Sequence, residues 1–194
     1  MTTGSLFDGP QVLLDDASGR IEYRPGVLAP ELAREWFEML LERMPWRHQR
    51  RVMYERELDV PRLTASFALD DPSLPAPLGE AAALAMREFG VGFNSVGLNL
   101  YRDRNDSVAP HNDRLGDLVE GCPIVLLSLG ATRRMRIQGK KSRARLELDL
   151  EAGSLLLMDY ETQKHYDHGI PKQRAAVGPR ISLAFRSRTR RPEP

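Results

Sequence analysis

The chain has one cysteine in 194 residues, Cys122, which excludes an internal disulfide and fits a reducing, cytoplasmic setting. It has no long hydrophobic run. The apolar stretches 124–127 and 155–158 are of strand length, far short of the ~20 residues a membrane-spanning helix needs, so no membrane association is expected. The segment 1–16 lacks the basic head and apolar core of a secretory signal. Neither charge is in excess: 28 Lys and Arg stand against 27 acids, a net charge of +1, and no global field points to or away from a polyanion. What remains is an ordinary globular composition, 41% hydrophobic and 28% charged, in one domain's length. Nothing in it calls for a partner subunit, and a monomer is expected.

The first 25 residues read as a loose leader with one short strand near Ile21–Arg24. Pro30 then opens a helix, where its missing N–H costs nothing. Leu32, Ala33, Trp36, Phe37, Leu40, Leu41 and Met44 recur at helical spacing before Pro45. A second helix is expected over Leu78–Phe89, stopped by Gly90 and Gly92. Strand-like pieces fall at Val52–Tyr54 and Leu63–Phe67, and the proline-rich Asp70–Pro77 reads as a loop.

After Gly92 the pattern becomes one of short strands: Ser95–Tyr101, Ile124–Leu129, Thr132–Ile137, Leu146–Leu150, Ser154–Tyr160 and Ile181–Phe185. Turn residues punctuate them and no helical pattern interrupts. The fold expected is α+β and mainly β: a double-stranded β-helix, or jelly roll, with N-terminal helices packed on one sheet. One domain is expected over 1–194, with a helical layer in 1–92, the jelly-roll core in 93–187 and a basic tail in 188–194.

The candidate chemistry starts at His111-Asn112-Asp113. On a strand, positions i and i+2 share a face, so His111 and Asp113 can reach one cation together while Asn112 points away. Two imidazoles and one carboxylate hold ferrous iron on one side and leave the other open. His168 and His165 compete for the third position. The Gly-Ile-Pro after His168 reads as a strand exit and favours it, which leaves His165 to touch a substrate or lie in solvent. Arg180 and Arg186 share one strand face opposite Ile181, Leu183 and Phe185. If that face is inside, two guanidinium groups need an anion there; if outside, both are solvated. Asn99 and Tyr101 share a face in the same way and either serve an anion or the structure. Seven basic residues and no acid lie between Thr132 and Arg145, a hairpin that either contacts phosphates or is a solvated face.

These blocks keep an order that resembles the AlkB-type Fe(II)/2-oxoglutarate dioxygenases. The order is Asn99-Leu-Tyr101, His111-Asn-Asp113, Cys122-Pro-Ile, Ser128-Leu-Gly-Ala-Thr-Arg133, Gly153-Ser-Leu-Leu, His168-Gly-Ile-Pro and Pro179-Arg180 through Arg186. Val60-Pro61-Arg62 resembles a piece of that family's nucleotide-recognition lid, which would lie within 1–92.

The resemblance implies Fe(II) on His111, Asp113 and His168. It implies 2-oxoglutarate on Arg180, Arg186, Asn99 and Tyr101, O2 as second cosubstrate, and Pro61, Arg62 and Arg114 near the substrate. It implies oxidative N-demethylation of alkylated bases in single-stranded or base-flipped DNA or RNA, a repair activity that releases formaldehyde and succinate. Two positions depart from the family. Repair members carry another acid within two residues of the aspartate ligand, and here stand Arg114 and Leu115, which leaves the base preference open. Ser182 replaces an asparagine between the two arginines and is smaller. A related oxygenase acting on a protein or small molecule is the alternative. A non-enzymatic jelly-roll module is the third reading, and the paired arginines argue against it.

Overall fold

The computed structural model describes residues 9–53 and 56–189; for 49–53 and 56–59 it describes the backbone alone. Twelve strands form two antiparallel sheets among the described residues. In chain order they are β1 (Gln11–Asp16), β2 (Gly19–Arg24), β3 (Arg47–Met53), β4 (Arg56–Ala68), β5 (Ser95–Tyr101), β6 (Val108–His111), β7 (Ile124–Gly130), β8 (Arg133–Gly139), β9 (Arg145–Leu150), β10 (Leu155–Met158), β11 (Tyr166–Ile170) and β12 (Arg180–Arg186). The large sheet runs β1-β2-β10-β7-β12-β5-β4-β3 and the small one β6-β11-β8-β9. The two sheets make a jelly roll, as expected.

Three helices accompany them: α1 (Pro30–Arg43), α2 (Ala76–Phe89) and α3 (Tyr160–His165). In α1, Ala33, Trp36 and Leu40 are buried at helical spacing, and Trp46 donates its indole N–H to the Leu41 carbonyl just past the helix end. α2 buries Leu78, Ala81, Ala82 and Ala85 and ends at Gly90, whose φ of 67° closes the last turn through a bond to the Met86 carbonyl.

Alternation along the strands divides the interior in two. Leu98, Leu100, Val125, Leu127, Leu129, Ile181, Leu183 and Phe185 face α1 and α2 in one core. Tyr101, Ile124, Leu126 and Ala184 face the small sheet, where Met135, Ile137, Tyr166 and Ile170 complete a second core. Gly130 ends β7 where the chain turns from the large sheet to β8 in the small one. Its φ is 82°, and a Cβ there would stand 2.6 Å from both the Phe37 ring and the Pro179 carbonyl oxygen.

Several expectations change. The leader is a β-hairpin: β1 and β2 pair with each other, and β2 goes on to pair with β10. The strand-like pieces of 47–68 extend into two long strands that continue the large sheet beyond β5; Tyr54 lies outside the described residues. The region before Gly92 therefore supplies four strands of the large sheet as well as helices. α2 starts at Ala76, because proline is tolerated in a helix's first turn. The end of the expected strand Ser154–Tyr160 is the start of α3, capped by the Asp159 carboxylate on the Thr162 N–H at 2.8 Å. The start of the expected basic tail is ordered by backbone bonds: Arg188 bridges Leu118, and the Thr189 N–H donates to the Asp117 carbonyl.

Candidate active site

His111 ends β6 and His168 sits in β11, directly opposite it in the antiparallel register. Their rings are neighbours, with centroids 4.6 Å apart and planes inclined at 49°. The His111 Nδ1 lies 3.0 Å from the Ala109 carbonyl oxygen, which only accepts. Nδ1 therefore carries the proton of the neutral ring, and Nε2 keeps the lone pair a metal takes. His168 is buried. Burial, helped by His111, pushes its imidazole down to about 3, so it stays a neutral donor at physiological pH.

Asp113 lies two residues past the end of β6, not on the strand. The shared-face argument for His111 and Asp113 therefore does not hold. Asn112 does not point away either, but lines the same cavity. A backbone bond from Asp113 N–H to the buried Gln163 side chain, 3.1 Å, fixes the turn that brings the carboxylate back. Burial works against the Asp113 charge, but Arg186 more than offsets it, and the carboxyl stays below its usual pKa. The Arg186 guanidinium grips that carboxylate in two places, at 2.7 and 3.2 Å. It lies over Gly97, where a Cβ would stand 3.3 Å from its Nη1. Expected in a cosubstrate pocket, Arg186 instead spends its fork on Asp113 at the cavity wall.

Arg180 starts β12 and points between the sheets, fully buried. Its Nη2 donates to the Ser128 hydroxyl at 2.9 Å, its Nε has no partner, and no carboxylate among the described residues pairs with it. Burial pushes its pKa down to about 10, which still leaves it charged at neutral pH. Tyr101 lies beside it, ring centroid 5.5 Å from the guanidinium carbon. A buried guanidinium with an orphaned nitrogen and no acid is a site waiting for an anion. Asn99 stands opposite Ser182 in the neighbouring strand and accepts from Arg62 Nε at 2.7 Å.

A cavity of about 600 Å³ opens above these groups. Asn99, His111, Asp113 and Arg186 line it; Tyr101, Arg180 and His168 are buried and do not. Arg62 and Arg114 also line it. Pro61 does not: it is exposed, and its carbonyl accepts from Ser107 N–H at 2.8 Å. His165 ends α3, exposed and away from the cavity.

Other groups were missed. Ser128, the partner of Arg180, was readable from the alternation Leu126, Ser128 on β7. Arg133 was read with the basic hairpin, yet it is fully buried. Its two terminal nitrogens donate to the carbonyls of Asp103, Asp106 and Pro171. Arg134 and Arg136 are exposed but paired across the hairpin with Asp149 and Glu147. The run is therefore neutralised in part from the adjacent strand, at Arg134 and Arg136, and the hairpin's claim on phosphates weakens.

Among the described residues, no three His, Cys, Asp or Glu side chains stand close enough to hold an ion as placed. The donor chemistry fits ferrous iron nonetheless: two adjacent imidazoles, one ionised carboxylate, and open space beside them. A model of the 2OG-Fe(II) oxygenase superfamily matches residues 71–186, more than half of the chain. The chain belongs to this superfamily. The oxygenases of that family use Fe(II) with 2-oxoglutarate and O2, and the acid-free Arg180 suits the far carboxylate of 2-oxoglutarate.

Among curated relatives, the oxygenase is 31% identical over 184 residues to the Bos taurus alpha-ketoglutarate-dependent dioxygenase alkB homolog 3, an alignment covering 84% of this chain and 64% of that one. It is 38% identical over 105 residues to the Bos taurus DNA oxidative demethylase ALKBH2, covering 50% of this chain and 38% of that one. It thus spans less than two thirds of the length of either. A Pseudomonas putida prolyl-4-hydroxylase shares the fold with a TM-score of 0.60 at 13% identity, over 89% of this chain and 95% of that one. OsALKBH1 does so with a TM-score of 0.58 at 13% identity, over 91% and 100%.

Proposed function

We propose that the chain is an Fe(II)/2-oxoglutarate-dependent dioxygenase that removes N-methyl groups from alkylated bases in single-stranded or base-flipped DNA or RNA. The observation that carries it is the presence of two settings in one jelly roll: His111 and Asp113 at the cavity wall with buried His168 against His111, and a buried, acid-free Arg180 on the strand that also carries Arg186. The resemblance to alkB homolog 3 and ALKBH2 supports the choice of substrate.

His111, His168 and Asp113 would hold the metal, with Arg186 keeping the carboxylate ionised and aimed. Arg180 and Ser128, with Asn99 and Tyr101, would orient the dicarboxylate. When bound, the metal would supply oxidation by O2, with 2-oxoglutarate converted to succinate and CO2 and the N-methyl carbon hydroxylated and lost as formaldehyde. A ring that was cationic regains the nitrogen lone pair and releases a proton to solvent; a ring that was uncharged regains its N–H. Arg62 and Arg114 are the substrate-facing residues; Pro61 acts through the backbone that presents Arg62.

The test is release of succinate and formaldehyde from methylated oligonucleotides with Fe(II), ascorbate and 2-oxoglutarate. Equal formation of both is expected. Succinate without formaldehyde from any nucleic acid would favour a protein or small-molecule substrate, a reading supported by Arg114 at the cavity wall and by the absence of an acid at 114 and 115. We also propose a cytoplasmic monomer. The free Cys122 supports that compartment, and no described helix is long and apolar enough to cross a membrane.

A further inference from the structure

Among the described residues, five arginines line the cavity: Arg47, Arg62, Arg114, Arg186 and Arg188. Among the described residues, only two acids, Asp113 and Asp117, share its wall, and Asp113 is already gripped by Arg186. Arg47, Arg114 and Arg188 make no ion pair with another described residue. They come from three separate elements: Arg47 from the start of β3, Arg114 from the turn before the short helix Leu115–Asp117, and Arg188 from just past β12. The Arg188 backbone is pinned by Asn94, which accepts its N–H at 2.9 Å and donates to its carbonyl at 2.8 Å. The side chain therefore leaves a fixed point on the rim.

This wall separates two kinds of alkylated base. Methylation of adenine N1 or cytosine N3 leaves the ring a cation at neutral pH. Methylation of guanine N1 or thymine N3 replaces a proton and leaves the ring uncharged. A cation entering this cavity meets repulsion from several guanidinium groups, with one unpaired acid among the described residues, Asp117, to relieve it. An uncharged base escapes that repulsion, and the phosphates on either side of it are drawn to the same arginines.

We propose that the cavity selects an uncharged alkylated base, with flanking backbone phosphates held by Arg47, Arg114 and Arg188, and disfavours the cationic bases. The proposal rests on the demethylase reading and deepens it.

Single-stranded oligonucleotides identical except for one lesion test it: 1-methylguanine or 3-methylthymine against 1-methyladenine or 3-methylcytosine. Fluorescence anisotropy with metal-free protein reads binding, and formaldehyde release with the Fe(II)-loaded protein reads turnover. The uncharged lesions should be favoured about tenfold in both. Charge reversal in R114D/R188D should shrink or invert that ratio. Equal or better handling of the cationic lesions by the wild-type protein overturns the proposal and leaves the demethylase reading standing. A ratio unmoved in a folded R114D/R188D protein also overturns it. Failure to bind or demethylate any of the oligonucleotides removes both readings.

Discussion

His168 and His165 sit on the same short stretch of chain and have opposite surroundings. His168 is buried in β11 against His111, and His165 is exposed at the end of α3. His168→Ala should reduce 2-oxoglutarate-dependent succinate release to background, while His165→Ala should leave it at the wild-type level. A dead His165→Ala beside an active His168→Ala would reverse the assignment of the third ligand. At this scale the sequence was legible where strand alternation holds. Alternation put Asn99 with Tyr101 and Arg180 with Arg186, and the family resemblance joined the two pairs; β5 and β12 are regular and adjacent, so Arg180 stands opposite Tyr101. Asp113 was misjudged because its chain leaves β6 at His111, and a turn, not a strand face, returns its carboxylate. Arg133 was misjudged because its neighbours in sequence are exposed bases, although the period of β8 put it on the inner face with Met135 and Ile137.

The crossover from β5 to β6 carries the chain from the large sheet to the small one, and it sets where His111 lands. Two polar devices hold it. Arg133 reaches from β8 to two of its carbonyls and one from the end of β11. Asp106, buried in the loop, accepts from Arg102 at its backbone N–H, Nε and Nη2, all within 2.9 Å. Burial penalises the Asp106 charge, but the Arg102 bonds more than offset it and hold its pKa below 3.8. With the folded-state pKa lowered, its stabilisation is present above the unfolded value and is lost as pH falls through the lower, folded one. Asp106→Asn should cost about 1–3 kcal/mol at neutral pH. The gap to the wild type should narrow as the pH drops below the unfolded value, as urea unfolding across that range would show. A gap that stays constant into acid would mean that the charge is not what holds the loop. No sequence pattern announces such a loop, because its bonds run to backbone carbonyls brought close by the sheets.

On the scale of the whole molecule, neither core needs an ion to close. One lies between the helices and the large sheet, the other between the sheets, and the candidate metal ligands stand at the edge of the second. Chelation should therefore leave the far-ultraviolet circular dichroism spectrum intact. It should remove only the stabilisation that binding adds, about 2.7 kcal/mol at a metal concentration a hundred times the Kd. Collapse of the spectrum on chelation would show that metal organises the fold. The jelly roll was legible from strand spacing, but its true width was not. The hairpin at 11–24 and the strand pair at 47–68 looked like leader and lid because their partners, β10 and β5, are distant in sequence.

That sheet order also constrains how the protein is made. β12 lies between β7 and β5 and is the only strand joining the two halves of the large sheet among the described residues. It is also the last of these strands to leave the ribosome. Until it emerges, β5 and β7 each present an unpaired edge with apolar residues facing the helical layer. The β1–β2 hairpin in turn waits for β10, more than a hundred residues downstream. Nascent chains stalled before Pro179 thus carry two incomplete half-sheets, the species that holdase chaperones bind and that pairs with copies of itself.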